Sequence, residues 1–397
     1  MILAAITENI LWLICGIGVL QGFLLALLLY FHPKSERSVN KFLALFIFFL
    51  TVMMSLSIFI RVIHWQSSFF LIPMPLLMGP CLYFYVRSFS ERITFRKAWP
   101  HLIPFVLLFF PVYYNLSHFA AKYPNERNVP AEALHSPIAI IVNYGKFLQS
   151  LLYIFLTHKT LLSYQRSIRQ LFSDITRIDL SWVRLLITGF LTLVLSAIVL
   201  FSLILRFHNY FTLFLLTSNA LVTIYIYLAT YKGLLQPTIW QVQPGITREK
   251  AEEEIKEAEK IDTKESISDE PKQIKSGINQ TKVDELVSKI NYLLDKEKLY
   301  QETELTLQQL ADKLQVPTYL VSQAINDGTN KNFYELINGY RVEEAKKLLL
   351  DPKNRNFTIL SVAFEAGFNS KTTFNTVFKK FTGLTPTDFR ESQKVLN

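Results

Sequence analysis

Residues 358–383 read Thr-Ile-Leu-Ser-Val-Ala-Phe-Glu-Ala-Gly-Phe-Asn-Ser-Lys-Thr-Thr-Phe-Asn-Thr-Val-Phe-Lys-Lys-Phe-Thr-Gly, and their spacing decides the fold of the C-terminal part. Thr358 stands where a hydroxyl can accept from the free amides that open a helix carrying Val362 and Ala363. Gly367 supplies a left-handed turn, and Ser370 caps the next helix. That helix directs Phe374, Val377, Phe378 and Phe381 inward. Lys371, Thr372, Asn375, Thr376 and Lys379 remain on its outer face, and Gly383 and Pro386 end it. A short helix, a tight turn and a second helix with a polar, basic outer face make a helix-turn-helix unit.

Upstream, the same arrangement recurs. Thr306-Leu-Gln-Gln309 is a capping box opening a helix through Leu314, with Ala311 small where two helices cross closely. Pro317 starts a helix predicted over Thr318–Asn326, with Leu320 or Val321 and Ile325 inward, and Asp327-Gly328 stops it. Between the two units runs a long amphipathic helix, Phe333 to Leu349, with Phe333, Leu336, Ile337, Tyr340, Ala345, Leu348 and Leu349 as its buried stripe. Before both, Val283, Leu286, Ile290, Leu293 and Leu294 line one face of a leading helix. The expectation for residues 281–397 is an all-helical domain with two helix-turn-helix units joined by a long helix.

Further back, residues 233–280 lose this periodicity. Gln236-Pro237 and Gln243-Pro244-Gly245 punctuate a segment whose core, Arg248 to Lys264, is dense in Glu and Lys. A favourable Glu252–Lys256 pair and a repulsive Glu253–Glu257 pair leave a solvated helix and a charged coil both open. Ala251, Ile255, Ala258 and Ile261 form only a thin seam, so a tether is expected rather than a dimerising coiled coil.

Residues 1–232 are of another kind. Charge-free runs span Asn9–Pro33, Phe42–Ile60, Val62–Val86, Ala98–Ala121, Leu185–Leu205 and Phe207–Tyr231, each near the ~20 residues a membrane helix needs. A seventh, about Ile138–Thr157, is interrupted by Lys146. No alternating strand pattern appears, so a seven-helix transmembrane bundle is expected, and the fold class is all-α. The first run is expected to be a span rather than a cleaved leader, because Met1–Asn9 holds Glu8 and no Lys or Arg.

The first, third and fifth connections carry 12 basic residues and the alternate ones four: Arg61, Lys122, Arg127 and Arg206. The positive-inside rule then puts the N-terminus outside and everything after Lys232 in the cytoplasm.

The whole chain has 397 residues, 50% hydrophobic and only 18% charged, with a net charge of +9. Residues 1–232 contribute +11, 233–280 contribute −3 and 281–397 contribute +1. The basic balance therefore belongs to the apolar half and is no nucleic-acid footprint in itself. Two cysteines, Cys15 and Cys81, cannot staple a secreted scaffold, and both fall within spans as packing residues. No nucleophile elbow, P-loop, dinucleotide fingerprint or metal-ligand spacing appears, so neither an enzyme nor a cofactor is expected.

The stretch Ala363 to Arg390 (Ala-Phe-Glu-Ala-Gly-Phe-Asn-Ser-Lys-Thr-Thr-Phe-Asn-Thr-Val-Phe-Lys-Lys-Phe-Thr-Gly-Leu-Thr-Pro-Thr-Asp-Phe-Arg) resembles the signature of AraC-type transcription regulators. So does Tyr340-Arg-Val-Glu-Glu-Ala-Lys-Lys-Leu-Leu-Leu350 in the bridging helix. The resemblance covers about residues 283–392, and the seven-span front half with its charged tether resembles the membrane-embedded branch of that family. It implies a regulator of double-stranded DNA held in the bacterial cytoplasmic membrane, with the bundle sensing a signal molecule or membrane partner amid lipid, and with a homodimer as one assembly.

The resemblance also implies that one short helix of each unit enters successive major-groove faces. Carried over by position, Tyr319, Ser322 and Gln323 read bases in the first unit, and Lys371, Thr372, Asn375 and Thr376 in the second. Gln and Asn can pair with adenine, Lys can reach guanine, and Thr methyls suit thymine. Lys331, Lys379 and Lys380 are the expected phosphate contacts. The first unit departs from the family in having Gln315 where a turn glycine is usual. A rival reading is a seven-span receptor or transporter-like protein whose cytoplasmic helices bind protein rather than DNA. The outer face of residues 370–381, polar and basic, favours DNA.

Lys146 is the only charge near the middle of a predicted span, and it is the expected sensing residue. Three accounts of it stand open here: an anionic ligand, carbonyl and hydroxyl partners, or a side chain that snorkels to the interface.

Overall fold

A computed structural model describes residues 2–31, 37–62, 71–124, 126, 129–176, 178–234 and 280–394. It is all-helical, with no β-strand among the described residues beyond an isolated antiparallel bridge between Phe172 and Thr306. The chain divides into two compact units, one of residues 1–163 and 180–246, the other of residues 164–179 and 247–397.

The first unit holds α1 (Ile2–Phe31), α2 (Arg37–Val62), α3 (Pro75–Arg87), α4 (Phe95–Ala98), α5 (Ile103–Lys122), α6 (Ala131–His135), most of α7 (Pro137–Leu171), α8 (Val183–Arg206) and α9 (Phe211–Leu234). Among the described residues six stretches are long and apolar enough to cross a membrane: Trp12–Phe31, Val39–Ile58, Phe95–Lys122, Pro137–Leu171, Val183–Arg206 and His208–Lys232. Each overlaps a run expected from the sequence. The remaining expected run, Val62–Val86, is described from Leu71 onward, where it forms the 13-residue α3; residues 63–70 lie outside the described residues.

Helix α1 packs against α2 and α9, α2 against α3, and α8 against α9. Small residues permit the close crossings, as membrane bundles require. A Cβ on Gly22 would fall 2.1 Å from Thr51 Oγ1, so α1 and α2 touch there backbone to side chain. Polar glue is buried too: Asn219 on α9 donates to Ser57 on α2. Leu107, Phe110, Leu148 and Phe155 face outward, more than three-fifths exposed, as helices solvated by hydrocarbon would have them.

The second unit holds α10 (Gln280–Asp295), α11 (Leu307–Leu314), α12 (Thr318–Thr329), α13 (Phe333–Leu350), α14 (Ile359–Glu365), α15 (Lys371–Thr382) and α16 (Pro386–Lys394). Its first core joins Ile290, Leu294, Leu310, Ala311, Val321, Ala324, Ile325 and Ile337, all buried. The expected caps form. Thr306 and Gln309 make the reciprocal capping box, Ser361 N donates to Thr358 Oγ1 (3.0 Å), and Thr373 N to Ser370 Oγ (3.1 Å). Gln315 closes α11 in the left-handed region at φ 55°, the conformation a turn glycine would take.

Three details differ from the sequence expectation. Helix α12 does not stop at Asp327-Gly328 but runs to Thr329. Gly328 lies inside it because α10 comes so close that a Cβ would sit 2.5 Å from Val287 Cγ2. Phe381, expected inward, is 39% exposed in the last turn of α15, over Gly339, which has no side chain to cover it. Residues 164–179, which a division at 232 leaves in the membrane part, belong to the second unit. The tether with its Arg248–Lys264 segment lies outside the described residues.

Gly367 takes φ +93°, and a Cβ there would meet the Tyr300 carbonyl oxygen at 2.6 Å. A left-handed non-glycine residue costs roughly 1–2 kcal/mol, and backbone cannot swing aside. Gly367→Ala should therefore lower the unit's stability by about 2 kcal/mol or more in urea unfolding. A loss under about 0.5 kcal/mol would show the turn to be malleable.

Candidate nucleic-acid interface

Helix α15 is set by an aromatic chain beneath it. Phe368, Phe374, Phe378 and Phe389 follow one another with ring centroids 5.1–5.4 Å apart. Such tilted and edge-on contacts fix rotation about the helix axis as well as position. With that face buried, Lys371, Thr372, Thr376 and Lys379 are exposed together on the other. The Thr376 hydroxyl donates back to Thr372 O (2.9 Å), which leaves its methyl group for an apolar contact. Asn375 is half-buried, and its Oδ1 is buried with no hydrogen-bond partner. A carboxamide in that state gains by turning toward donors, because an unmet buried acceptor is costly.

Helix α12 is held by Val321, Ala324 and Ile325 against Ala311, and Thr318 Oγ1 donates to Gln308 Oε1 (2.7 Å). Tyr319, Ser322 and Gln323 fall at i, i+3 and i+4, on one half-buried face. Lys331 is exposed just beyond. Lys380 points elsewhere: its Nζ lies 3.8 Å from Glu335 Oε1 and 5.7 Å from the Tyr334 ring centre. The expected residues thus form two sets, one on each short helix, with Lys380 turned toward α13.

Sequence reasoning missed the most buried charge of this unit. Arg341 on α13 is 1% exposed. Its Nε donates to Tyr300 O (2.7 Å), and Nη2 donates to Glu302 O (2.7 Å) and to Ser173 Oγ (3.1 Å). Burial pulls its guanidinium down to about 10, against Asp174 and Tyr334, which hold it up; it stays a cation at neutral pH.

Around it, Asn338 Nδ2 donates to Ser173 O (2.8 Å), and both Ser173 N and Ser173 Oγ donate to Leu305 O (3.2 and 2.7 Å). Asn369, one residue before the cap of α15, donates to Asp174 Oδ2. Residues 173–174 are therefore built into the core that carries both short helices. Arg341 sits four residues after Ile337 and four before Ala345, so helical periodicity alone marks it as buried. Nothing local marks Ser173. Among the described residues no group of His, Cys, Asp and Glu could hold a metal ion.

Residues 310–392 match the family of helix-turn-helix domains. A curated relative from Pseudoalteromonas carrageenovora, an uncharacterized HTH-type transcriptional regulator in the cgkA 5′ region, is 40% identical over 75 residues, 19% of this chain and 42% of its own length. The match thus spans less than half of that relative. No solved structure matches the chain. The C-terminal part of the sequence thus carries a helix-turn-helix domain, and the N-terminal half carries apolar helices.

Proposed function

We propose that this protein is a sequence-specific, DNA-binding transcription regulator of the bacterial cytoplasmic membrane, acting by binding and not by catalysis. The observation that carries the reading is the presence, in one chain, of a helix-turn-helix domain and, among the described residues, six helices long and apolar enough to cross a membrane. The exposed Lys371, Thr372, Thr376 and Lys379 on α15 support DNA as the partner. In this reading α12 and α15 read two major-groove faces about one helical turn apart. Tyr319, Ser322, Gln323, Lys371, Thr372, Asn375 and Thr376 face the bases, while Lys331, Lys379 and Lys380 hold phosphates. The apolar bundle is the sensor, Lys146 is part of it, and two copies pair on DNA.

A route for the signal is supported by residues 164–179. Helix α7 carries Lys146 and also supplies Leu171 to the core under α11 and α12. A signal that displaces Ser173 would leave Arg341 and Asn338 short of a partner, and it would bias the domain between two states. The final span and the tether provide a second covalent link.

Two measurements test the reading. Reporters fused after Lys41, Arg96, Ile168 and Gly245 should read cytoplasmic, and one after Arg127 external, as the distribution of basic residues requires. Genome-wide mapping of crosslinked DNA should give discrete peaks for the full chain. Its release from the membrane, by deletion of residues 1–163 and 180–246 so that 164–179 is joined to 247–397, should change their occupancy. An external signal at Gly245 with a cytoplasmic one at Arg127 would overturn the topology. An absence of peaks would favour a protein partner.

A further inference from the structure

The first unit holds a half-open cavity of about 300 Å³ among α2, α3, α5, α6, α7, α8 and α9. Its walls are mostly aliphatic and aromatic, represented by Leu50, Met78, Val194 and Phe201. Among the described lining residues Lys146 is the one cationic side chain, and no Asp or Glu is among them. Lys146 is 7% exposed, and its ammonium donates one long hydrogen bond, 3.4 Å to Ile72 O. An ammonium has three donors, so this carbonyl leaves it poorly satisfied. Ser150 Oγ donates to Lys146 O (2.9 Å) and Asn143 Nδ2 to Ala139 O (2.8 Å), and neither side chain accepts from the ammonium.

The three accounts of Lys146 can now be separated. A snorkelling side chain would be exposed, and Lys146 lies nine residues into α7, about 14 Å along its axis, beyond the reach of a four-carbon stem. A cage of carbonyls and hydroxyls would offer several short contacts, and the site offers a single long one. A buried cation on an apolar wall without a counter-ion is the arrangement that an incoming anion completes. The volume is at the small end of ligand cavities, about 300–1,000 Å³, and fits one chain rather than two.

We propose that this cavity binds an amphipathic anion through one hydrocarbon chain, with the anionic head group on Lys146 and the chain along the apolar wall. A free carboxylate and an anionic bilayer lipid inserting one chain share this chemistry. Binding stands apart from the sensor reading; only its consequence for transcription rests on that reading.

The test uses the full chain in phosphatidylcholine nanodiscs, with radiolabelled decanoate as the probe and decanol as its neutral counterpart. Decanoate should bind saturably and about tenfold or more tighter than decanol, the margin that one charge-assisted contact supplies. Lys146→Met should erase that margin while leaving decanol binding and thermal unfolding unchanged, and Lys146→Arg should keep it. If Lys146→Met fails to fold, the decanoate-to-decanol ratio of the wild type decides by itself.

Equal binding of acid and alcohol, or an undiminished margin in a folded Lys146→Met protein, would overturn the assignment. Displacement of decanoate by phosphatidylglycerol added to the disc would name a bilayer lipid as the natural source; undisturbed binding would name a free carboxylate. Saturable decanoate binding with no transcriptional response would sustain the cavity assignment and refute the sensor reading. A transcriptional response in the absence of decanoate binding would do the opposite.

Discussion

Arg341→Met is expected to destabilise the C-terminal unit by about 3 kcal/mol or more, because each buried acceptor left unmet costs about 1–3 kcal/mol. The side chain holds together three segments far apart in sequence: the 300–303 turn, Ser173 and Asn338 on its own helix. Removing it strands the carbonyl of Tyr300 and the hydroxyl of Ser173, and leaves Glu302 O with Leu305 N alone (3.2 Å). Arg341→Lys should recover little, since an ammonium cannot present the planar fork that serves Tyr300 O and Glu302 O at once. The check is urea unfolding of the full chain, followed by amide exchange in α11 and α13. A loss below about 1 kcal/mol would mean that water takes over the guanidinium's contacts.

Asn375→Ala is expected to remove discrimination at one base pair, worth about 1–3 kcal/mol, while leaving non-specific binding in place. Its buried, unpartnered Oδ1 means that the side chain must turn to pair with an adenine, so part of the gain in the complex comes from satisfying that oxygen. Lys379→Ala should act differently. It should weaken all sequences alike and reduce the salt slope by about one, as loss of a phosphate contact does. Lys380→Ala should cost less than Lys379→Ala, because Lys380 is drawn toward Glu335 and the Tyr334 ring. Titrations on a selected duplex and on a scrambled one, each at several salt concentrations, separate these outcomes. A uniform loss for Asn375→Ala would remove it from base reading.

Much of the second unit could be read from local chemistry. Thr306, Thr358 and Ser370 were legible as caps because an oxygen before an apolar period has few other uses, and Gly367 because the turn demands a positive φ. The Asn332–Glu335 capping box that opens α13 followed the same rule and was available to the same reading, which did not identify it. The end of α12 was not legible. Asp-Gly is a stop signal locally, but the close approach of Val287 gives Gly328 a packing role within the helix.

The docking of Ser173 beside Arg341 was hidden for a different reason. It joins residues 168 apart through bonds that no periodicity encodes. The two candidate reading faces were visible as outward positions of two helices. The turn of Lys380 toward Glu335 was not, because it depends on how α13 and α15 pack. Lys146 was conspicuous as a charge in an apolar run, whereas the cavity beside it is a property of several packed helices.

The central claim is that a membrane-held chain reads DNA sequence through α12 and α15. Selection of random duplexes by the full-length protein in nanodiscs tests it most directly. The account predicts one enriched motif containing two clusters about a helical turn apart. Substitution of Asn375 should relax one cluster, and substitution of Gln323 the other. Retention of duplexes without any enriched motif, or a motif indifferent to both substitutions, would contradict it.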